Sequence, residues 1–292
     1  MTLKFNIGID LGGTKIETIV LKDQLAILRE RIPTEAEKGP VHILNQISKI
    51  YSQALGVVES DEFKVGICTP GSIAPDTKLL RNSNTTCLNG IALQAMIEEK
   101  LNRSVKIEND ANCFALAEAT LGSGKGHELI FGIIMGTGCG GGFVFNHQIR
   151  LGPNLISGEW GHSVLYPDGN ECYCGKRGCV ETYISGSGLE TELKNHGINY
   201  SAKEFLNKKN KNGLEIKIFD GFMNNFGRSV ANIINSIDPD IIILGGGLSN
   251  LTSLYSQGVE EIQKYIFSES LKTPIVMNKL GDSAGVYGAA LL

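Results

Sequence analysis

Two stretches decide the fold: Ile7-Gly8-Ile9-Asp10-Leu11-Gly12 and Phe131-Gly132-Ile133-Ile134-Met135-Gly136. They align without a gap, Gly8 on Gly132 and Gly12 on Gly136. Each is an apolar run closed by glycine, and each continues into a β-type run, at residues 16–21 and 142–145. Chance similarity between two glycine-rich hairpins is the simpler alternative. The reading with more consequence is a pair of related domains, each offering a glycine hairpin to one cleft.

The surroundings of each hairpin predict how it is covered. After the first come a helical pattern at 41–55, a short strand at 65–68 stopped by Pro70-Gly71, and a helix at 91–101. A strand at 105–107 and a helix at 111–121 follow. Strands alternating with helices argue for an α/β sheet covered by helices. Gly122-Ser123-Gly124-Lys125-Gly126 marks a domain boundary. Beyond the second hairpin lie a loop-rich insert at 149–178 and a Lys-rich stretch at 194–217, expected to be a solvated face. A long helix at 214–237, an apolar strand at 241–244, Gly245-Gly246-Gly247, a helix, a strand at 274–277 and an Ala-rich helix complete the chain.

Composition fits two domains. The 292 residues are 42% hydrophobic and 20% charged, enough to bury cores. With 27 Lys+Arg against 31 Asp+Glu the net charge is −4, which argues against a nucleic-acid partner. No apolar run approaches the ~18–20 residues of a membrane helix. The start, MTLKFNIGIDLGG, lacks the order of a secretory signal, so a cytoplasmic protein is expected.

Three glycine elements sit at strand ends: Asp10-x-Gly12-Gly13-Thr14-Lys15, Gly136-Thr137-Gly138 and Gly245-Gly246-Gly247. Successive N–H groups in such loops can line an anion site. For one element an ordinary tight turn is the better reading. For three, two of them with Thr beside Gly and the first preceded by an acid, phosphate binding is. Asp10 could hold Mg2+ through water. No P-loop motif is present. Gly136-Thr-Gly-Cys-Gly-Gly141 satisfies the dinucleotide fingerprint, but it leads into a β-type run where that fold needs a helix. The pattern suits instead a two-domain actin-like ATPase fold, the ribonuclease H-like architecture of sugar kinases, Hsp70 and actin, with an interdomain cleft.

Of the seven cysteines, Cys172, Cys174 and Cys179 crowd together, and His162 precedes them. Three thiolates and an imidazole make a tetrahedral, structural zinc set. The alternative is three reduced cysteines in a loop. Asn109-Asp110 lies between a strand and a helix, so Asp110 is either a helix N-cap or a general base at a strand end. Glu159 and Glu181 flank the cysteines. Two acids with Asn109 and Asp110 suit a neutral polyhydroxyl substrate, because an anionic one would need Arg.

With these residues assembled, the chain resembles the ROK family of bacterial sugar kinases and repressors from Gly8 to Ala290. Asp10–Lys15 and Gly136-Thr-Gly138 are similar to its phosphate motifs, and Asn109-Asp110-Ala-Asn112 to its catalytic motif. Gly158-Glu-Trp-Gly-His162 and Cys172-Tyr-Cys-Gly-Lys-Arg-Gly-Cys-Val-Glu181 are similar to its sugar and zinc motifs. The resemblance implies ATP with Mg2+ at Asp10, Gly12, Gly13, Thr14, Lys15, Gly136, Thr137, Gly138, Gly246 and Gly247. It makes Asp110 the base that takes the proton of the sugar hydroxyl. Asn109, Glu159, His162 and Glu181 would bind sugar hydroxyls, with Gly71 and Asn84 on the far side of the pocket. His162 would place one ring nitrogen on a structural Zn2+, shared with Cys172, Cys174 and Cys179, and the other toward the sugar.

The implied domains are 1–121 with the C-terminal helix at about 281–292, and 122–280 with the zinc loop at 149–181. A homodimer is the implied assembly. Pro70–Pro75, Arg81–Thr85, Leu88-Asn-Gly90, Cys139 and Gly281–Gly285 resemble the fructokinase and mannokinase branch. The expected reaction is therefore ATP:hexose 6-phosphotransfer to fructose, with glucose, mannose or N-acetylglucosamine as the alternative sugars. The family's repressors carry a DNA-binding domain before the first glycine motif, for which residues 1–7 leave no room, so an enzyme is expected. A catalytically silent sugar binder is the other rival, and the presence of Asp110 and both phosphate loops argues against it.

Overall fold

The computed structural model describes residues 4–292; residues 1–3, assigned above to the first domain, lie outside them. Contacts divide the chain into two units, one running to Ala117 and including Asp282–Leu292, the other Glu118–Gly281.

The first unit is built on β1 (Phe5–Leu11), β2 (Lys15–Lys22), β3 (Leu25–Pro33), β4 (Phe63–Thr69) and β5 (Lys106–Asn109), in the order β3-β2-β1-β4-β5. The first three strands are an antiparallel meander, and β4 and β5 add in parallel. Helix α1 (Pro40–Leu55) starts on a proline and buries Ile43, Ile47, Ile50 and Ala54 at helical spacing. It packs with α2 (Leu93–Leu101) into a core of Ile7, Ile9, Leu11 and Ile67. Helix α3 (Asp110–Leu121) follows β5, and the C-terminal helix Ala284–Ala290 packs on β1 and β4.

The second unit repeats this plan. Its strands β6 (Leu129–Met135), β7 (Cys139–Phe145), β8 (Gln148–Ile149), β9 (Ile241–Gly245) and β10 (Ile275–Met277) run in the order β8-β7-β6-β9-β10. The pairings have the same sense as in the first sheet. Gly8 and Gly132 occupy the same place on the first strand of each sheet. Helices α4 (Glu181–Ile184), α5 (Gly186–Asn195), α6 (Ala202–Asn207), α7 (Gly213–Ile237) and α8 (Gln257–Gln263) belong to this unit. Phe205, Phe222, Met223 and Phe226 fill its core. No helix among the described residues is long and apolar enough to cross a membrane.

Two features depart from the sequence reading. Strand β3 was not anticipated, because Leu-Ala-Ile-Leu-Arg-Glu-Arg-Ile-Pro is largely exposed and has no buried face. It is an edge strand whose Arg29 and Arg31 pair with buried Glu17, which also accepts from Ser283 beside the C-terminal helix. The Lys-rich stretch is not simply a solvated face. Phe205 and Leu206 of α6 are buried, and Lys208 lies 2.5 Å from Glu215, which is only 2% exposed.

Candidate active site and metal centre

In the first unit, the turn between β1 and β2 forms a tight glycine loop. Gly12 N–H donates to the Lys15 carbonyl (3.0 Å), and Thr34 Oγ1 donates to the Gly12 carbonyl (2.7 Å). The loop lies against residues 84–85: a Cβ added to Gly13 would stand 3.4 Å from Thr85 Oγ1 and 3.7 Å from Asn84 Oδ1. Asp10, at the end of β1, is largely withdrawn from water. Burial first, then the nearby Asp110 carboxylate, pushes its carboxyl up to about 6, against a Cys68 hydrogen bond and the Lys15 charge. Asp10, Lys15 and Asp110 therefore share one electrostatic environment. Cys68 is a neighbour that the sequence reading did not single out, since an apolar strand gives no sign of which thiol meets the carboxylate.

Asn109 and Asp110 stand where β5 becomes α3. The helix cap falls on Asn109 rather than Asp110: Asn109 Oδ1 accepts from Ala111 N–H (2.8 Å), the N-cap to N2 pattern. Asp110 Oδ1 shares that N–H at 2.9 Å. Asn109 Nδ2 donates to the Gly71 carbonyl (3.1 Å), tying the Pro70-Gly71 turn to the same corner. Gly71 has φ +88°, and a Cβ there would meet the Arg81 carbonyl at 2.4 Å, so glycine is required.

In the second unit, the other two glycine elements come together. A Cβ on Gly246 (φ +80°) would reach the Met135 carbonyl at 2.4 Å, so the loop of Gly246 and Gly247 is seated beside the strand end that leads into Gly136-Thr137-Gly138. That turn is braced from α5. Gly186 N–H donates to the Gly136 carbonyl (2.8 Å), and Ser187 Oγ to the Thr137 carbonyl (2.7 Å). It feeds β7, not a helix, as the reading against a dinucleotide site requires. Glu181 Oε2 accepts from Cys139 N–H at 3.0 Å, so one of its oxygens is committed to this turn. Glu159 is exposed. Trp160, between it and the metal cluster, stacks edge-on against Phe131 and donates to the Gly140 carbonyl.

The ligand atoms of His162, Cys172, Cys174 and Cys179 all lie within 4.8 Å of one another. Cys174 Sγ and Cys179 Sγ are 3.6 Å apart, as are Cys172 Sγ and His162 Nδ1. Tetrahedral zinc bonds imply about 3.8 Å between sulfurs and about 3.6 Å between sulfur and nitrogen. The donor set therefore fits zinc. The other ring nitrogen departs from expectation: His162 Nε2 faces Tyr173 Oη at 3.0 Å, with the two rings edge-on. The sequence gives Tyr173 no role of its own, because its contact with His162 depends on how the loop closes.

The ROK family pattern matches residues 6–292. This chain belongs to the ROK family. It is 36% identical over 301 residues to the N-acetyl-D-glucosamine kinase of Aliivibrio salmonicida, covering 98% of both chains. It is 35% identical over 303 residues to an N-acetylgalactosamine kinase of a Shewanella species, covering 98% of this chain and 95% of that one. Among solved structures it superposes on a ROK hexokinase from Thermus thermophilus with a TM-score of 0.89 at 27% identity, covering 98% and 97% of the two chains. The fold is accordingly the two-domain actin-like ATPase fold of this ROK protein's structural relatives. The expected fructokinase affinity has no counterpart in these relatives, whose names point to N-acetylated hexosamines and to hexoses at large.

Proposed function

We propose that this ROK protein is an ATP-dependent hexose kinase that phosphorylates the 6-hydroxyl of an N-acetylhexosamine, N-acetylglucosamine first. The observation that carries the reaction is the pair Asp10 and Asp110 beside the first glycine loop, with Lys15 in the same field. A phosphoryl group needs charge neutralisation on one side and an activated hydroxyl on the other. Lys15 and the N–H groups of Gly13 and Thr14 would meet the phosphates, and Gly12, whose N–H is held by the Lys15 carbonyl, would shape the loop. Thr137, Gly138, Gly246 and Gly247 would do so as well, with Gly136, whose N–H donates to the Gly138 carbonyl (2.9 Å), closing that turn. Asp10 would hold Mg2+ through water, and the ion supplies neutralisation of phosphate charge when bound. Asp110 would accept the proton of the sugar hydroxyl.

Asn109 and Gly71 are already joined by a hydrogen bond, and with Asn84 they would present the polar wall for the sugar. Glu159, His162 and Glu181 would bind its other hydroxyls. His162 would do so through Nε2, which Tyr173 faces. Zinc on His162, Cys172, Cys174 and Cys179 would hold that ring in place. A cytoplasmic homodimer completes the proposal.

The sugar preference rests on the relatives and replaces the fructose expected from the sequence. A coupled assay with N-acetylglucosamine, N-acetylgalactosamine, glucose, mannose and fructose tests it. The expected order puts N-acetylglucosamine highest in kcat/KM. Fructose in first place would restore the fructokinase reading, and no turnover with any of the five would end the kinase reading.

A further inference from the structure

Thr85 carries a hydroxyl to which no role has yet been given. The residue is 3% exposed, and its Oγ1 has no hydrogen-bond partner among the described residues. A local use lies close at hand. Thr85 is the N-cap of the 3-10 turn Thr86–Leu88, a position where a Thr side chain commonly accepts an N–H of the turn, yet its side chain makes no cap bond. What the hydroxyl faces instead is the first glycine loop. A Cβ on Gly13 would stand 3.4 Å from it, so it looks onto the space that a side chain at residue 13 would fill.

The wall that carries Thr85 is firmly tied. Ser83 N–H donates to Asn89 Oδ1, and Asn89 Nδ2 donates to the Ser83 carbonyl, both at 2.9 Å. Ser83 Oγ in turn accepts from Thr85 N–H (3.2 Å). Leu88 is fully buried in the core of the first unit, and Cys87 Sγ donates to the Ala36 carbonyl (3.6 Å). The glycine loop has its own tie at Thr34, whose Oγ1 and N–H take the carbonyls of Gly12 and Thr14. Between these two supports, Gly12 and Gly13 leave the backbone free to give. Every one of these groups belongs to the first unit. A buried hydroxyl without a partner destabilises the fold, and an apolar group of the same shape would not. A hydroxyl kept unpaired against a loop of N–H donors and Lys15 is therefore matched to an oxygen that the loop itself attracts.

We propose that Thr85 is a phosphate-binding residue: as the glycine loop gives way around the anion, the Thr85 hydroxyl donates to an oxygen of the phosphoryl group held there. The proposal rests on the kinase reading of that loop. A neutral donor suits the task, because it adds a hydrogen bond to charge that Lys15 already balances. A donor on a rigid wall also needs no reorganisation at the moment of transfer. Gly13 is then glycine for a second reason, since a side chain there would stand between the hydroxyl and the loop.

The test uses the full chain and the variant Thr85→Val, which keeps the shape and removes the hydroxyl. Stability and function are expected to part. The urea midpoint without nucleotide should hold or rise, because an unpaired polar atom has gone. Calorimetric binding of a non-hydrolysable ATP analogue with Mg2+ should weaken about tenfold or more, and kcat/KM for ATP with N-acetylglucosamine should fall by at least as much. Thr85→Ser, which returns the hydroxyl without the methyl group, should recover most of the analogue affinity. Wild-type affinity and turnover in Thr85→Val would overturn the proposal. Equal loss of affinity in the Val and Ser variants would do so too, since it would place the effect in packing. If Thr85→Val does not fold, Thr85→Ala against Thr85→Ser decides by the same rule: affinity lost in Ala alone supports the role, and affinity lost in both or in neither overturns it. A wild-type chain that binds no analogue and phosphorylates no hexose would fell the kinase reading, and with it this role. An active wild type with an unaffected Val variant fells this proposal alone.

Discussion

At the residue scale, the two aspartates differ in environment. Asn109 holds the helix cap, so Asp110 can change without uncapping α3. Asp110→Asn is expected to lower kcat by about 10²–10⁴, the usual effect of losing a general base. Its urea unfolding midpoint should move by less than the ~1 kcal/mol of a lost cap. Retention of more than about a tenth of wild-type turnover would show that no base acts there. Asp10 carries the opposite signature. Its carboxyl is pushed up to about 6 from 3.8, chiefly by burial. A raised acid stabilises the fold fully below the lower value and loses that contribution as pH climbs through the higher one. Above about pH 6 the ionised form therefore costs stability, up to about 3 kcal/mol for a shift of this size. Asp10→Asn, measured by urea unfolding in EDTA, should be more stable than wild type at pH 8. The difference should shrink toward pH 4. A gain of equal size at both pH values would show that charge is not its source.

At the scale of elements, close backbone approach decides where glycine is needed. A Cβ on Gly66 of β4 would lie 1.9 Å from the Ala289 carbonyl of the C-terminal helix, and one on Gly8 of β1 would lie 2.2 Å from that of Val286. Gly66→Ala must push the helix off the sheet, and a loss of at least about 2 kcal/mol is expected. Gly221, exposed inside α7, has open space at its Cβ position. Gly221→Ala should instead stabilise by about 0.5–1 kcal/mol. Chemical denaturation of the two variants gives shifts of opposite sign if packing decides, and of the same sign if helix and strand propensity alone did. The glycine hairpins and their covering helices were legible because apolar period and glycine position are local. Strand β3 was not, because an edge strand held by Arg29, Arg31 and Glu17 leaves no alternation to read. The salt bridge between Lys208 and Glu215 was hidden for a similar reason, since sequence shows the lysine but not the burial of its partner. In the site, the clustering of His162, Cys172, Cys174 and Cys179 could be read from spacing, whereas Tyr173 against His162 and Cys68 against Asp10 depend on folded geometry.

At the scale of the whole molecule, one topology occurs twice, each time with its own hydrophobic core. The two copies differ in what they carry. The four candidate metal ligands all fall in the second unit, within a loop that carries bridges between Val164 and Cys179 and between Glu171 and Arg177. Metal binding to a folded site adds to stability by mass action, about 4 kcal/mol at a thousandfold excess over Kd. That contribution acts on the segment whose order the metal requires. The first unit has its own sheet and core, and none of the four ligands. Zinc removal should therefore be felt unevenly. Purified protein is expected to contain one zinc per chain by elemental analysis. After stripping with a chelator and a thiol reductant, amides of residues 162–181 should exchange faster by at least about a hundredfold, as the loop loses a tie worth several kcal/mol. Amides of β1 and β4 should keep their protection, and sugar phosphorylation should be lost because His162 is no longer held. Re-addition of zinc should restore both the loop and the activity. Fully active protein without zinc, or equal loss of protection in the two sheets, would show that the cluster is not the local structural centre its geometry describes.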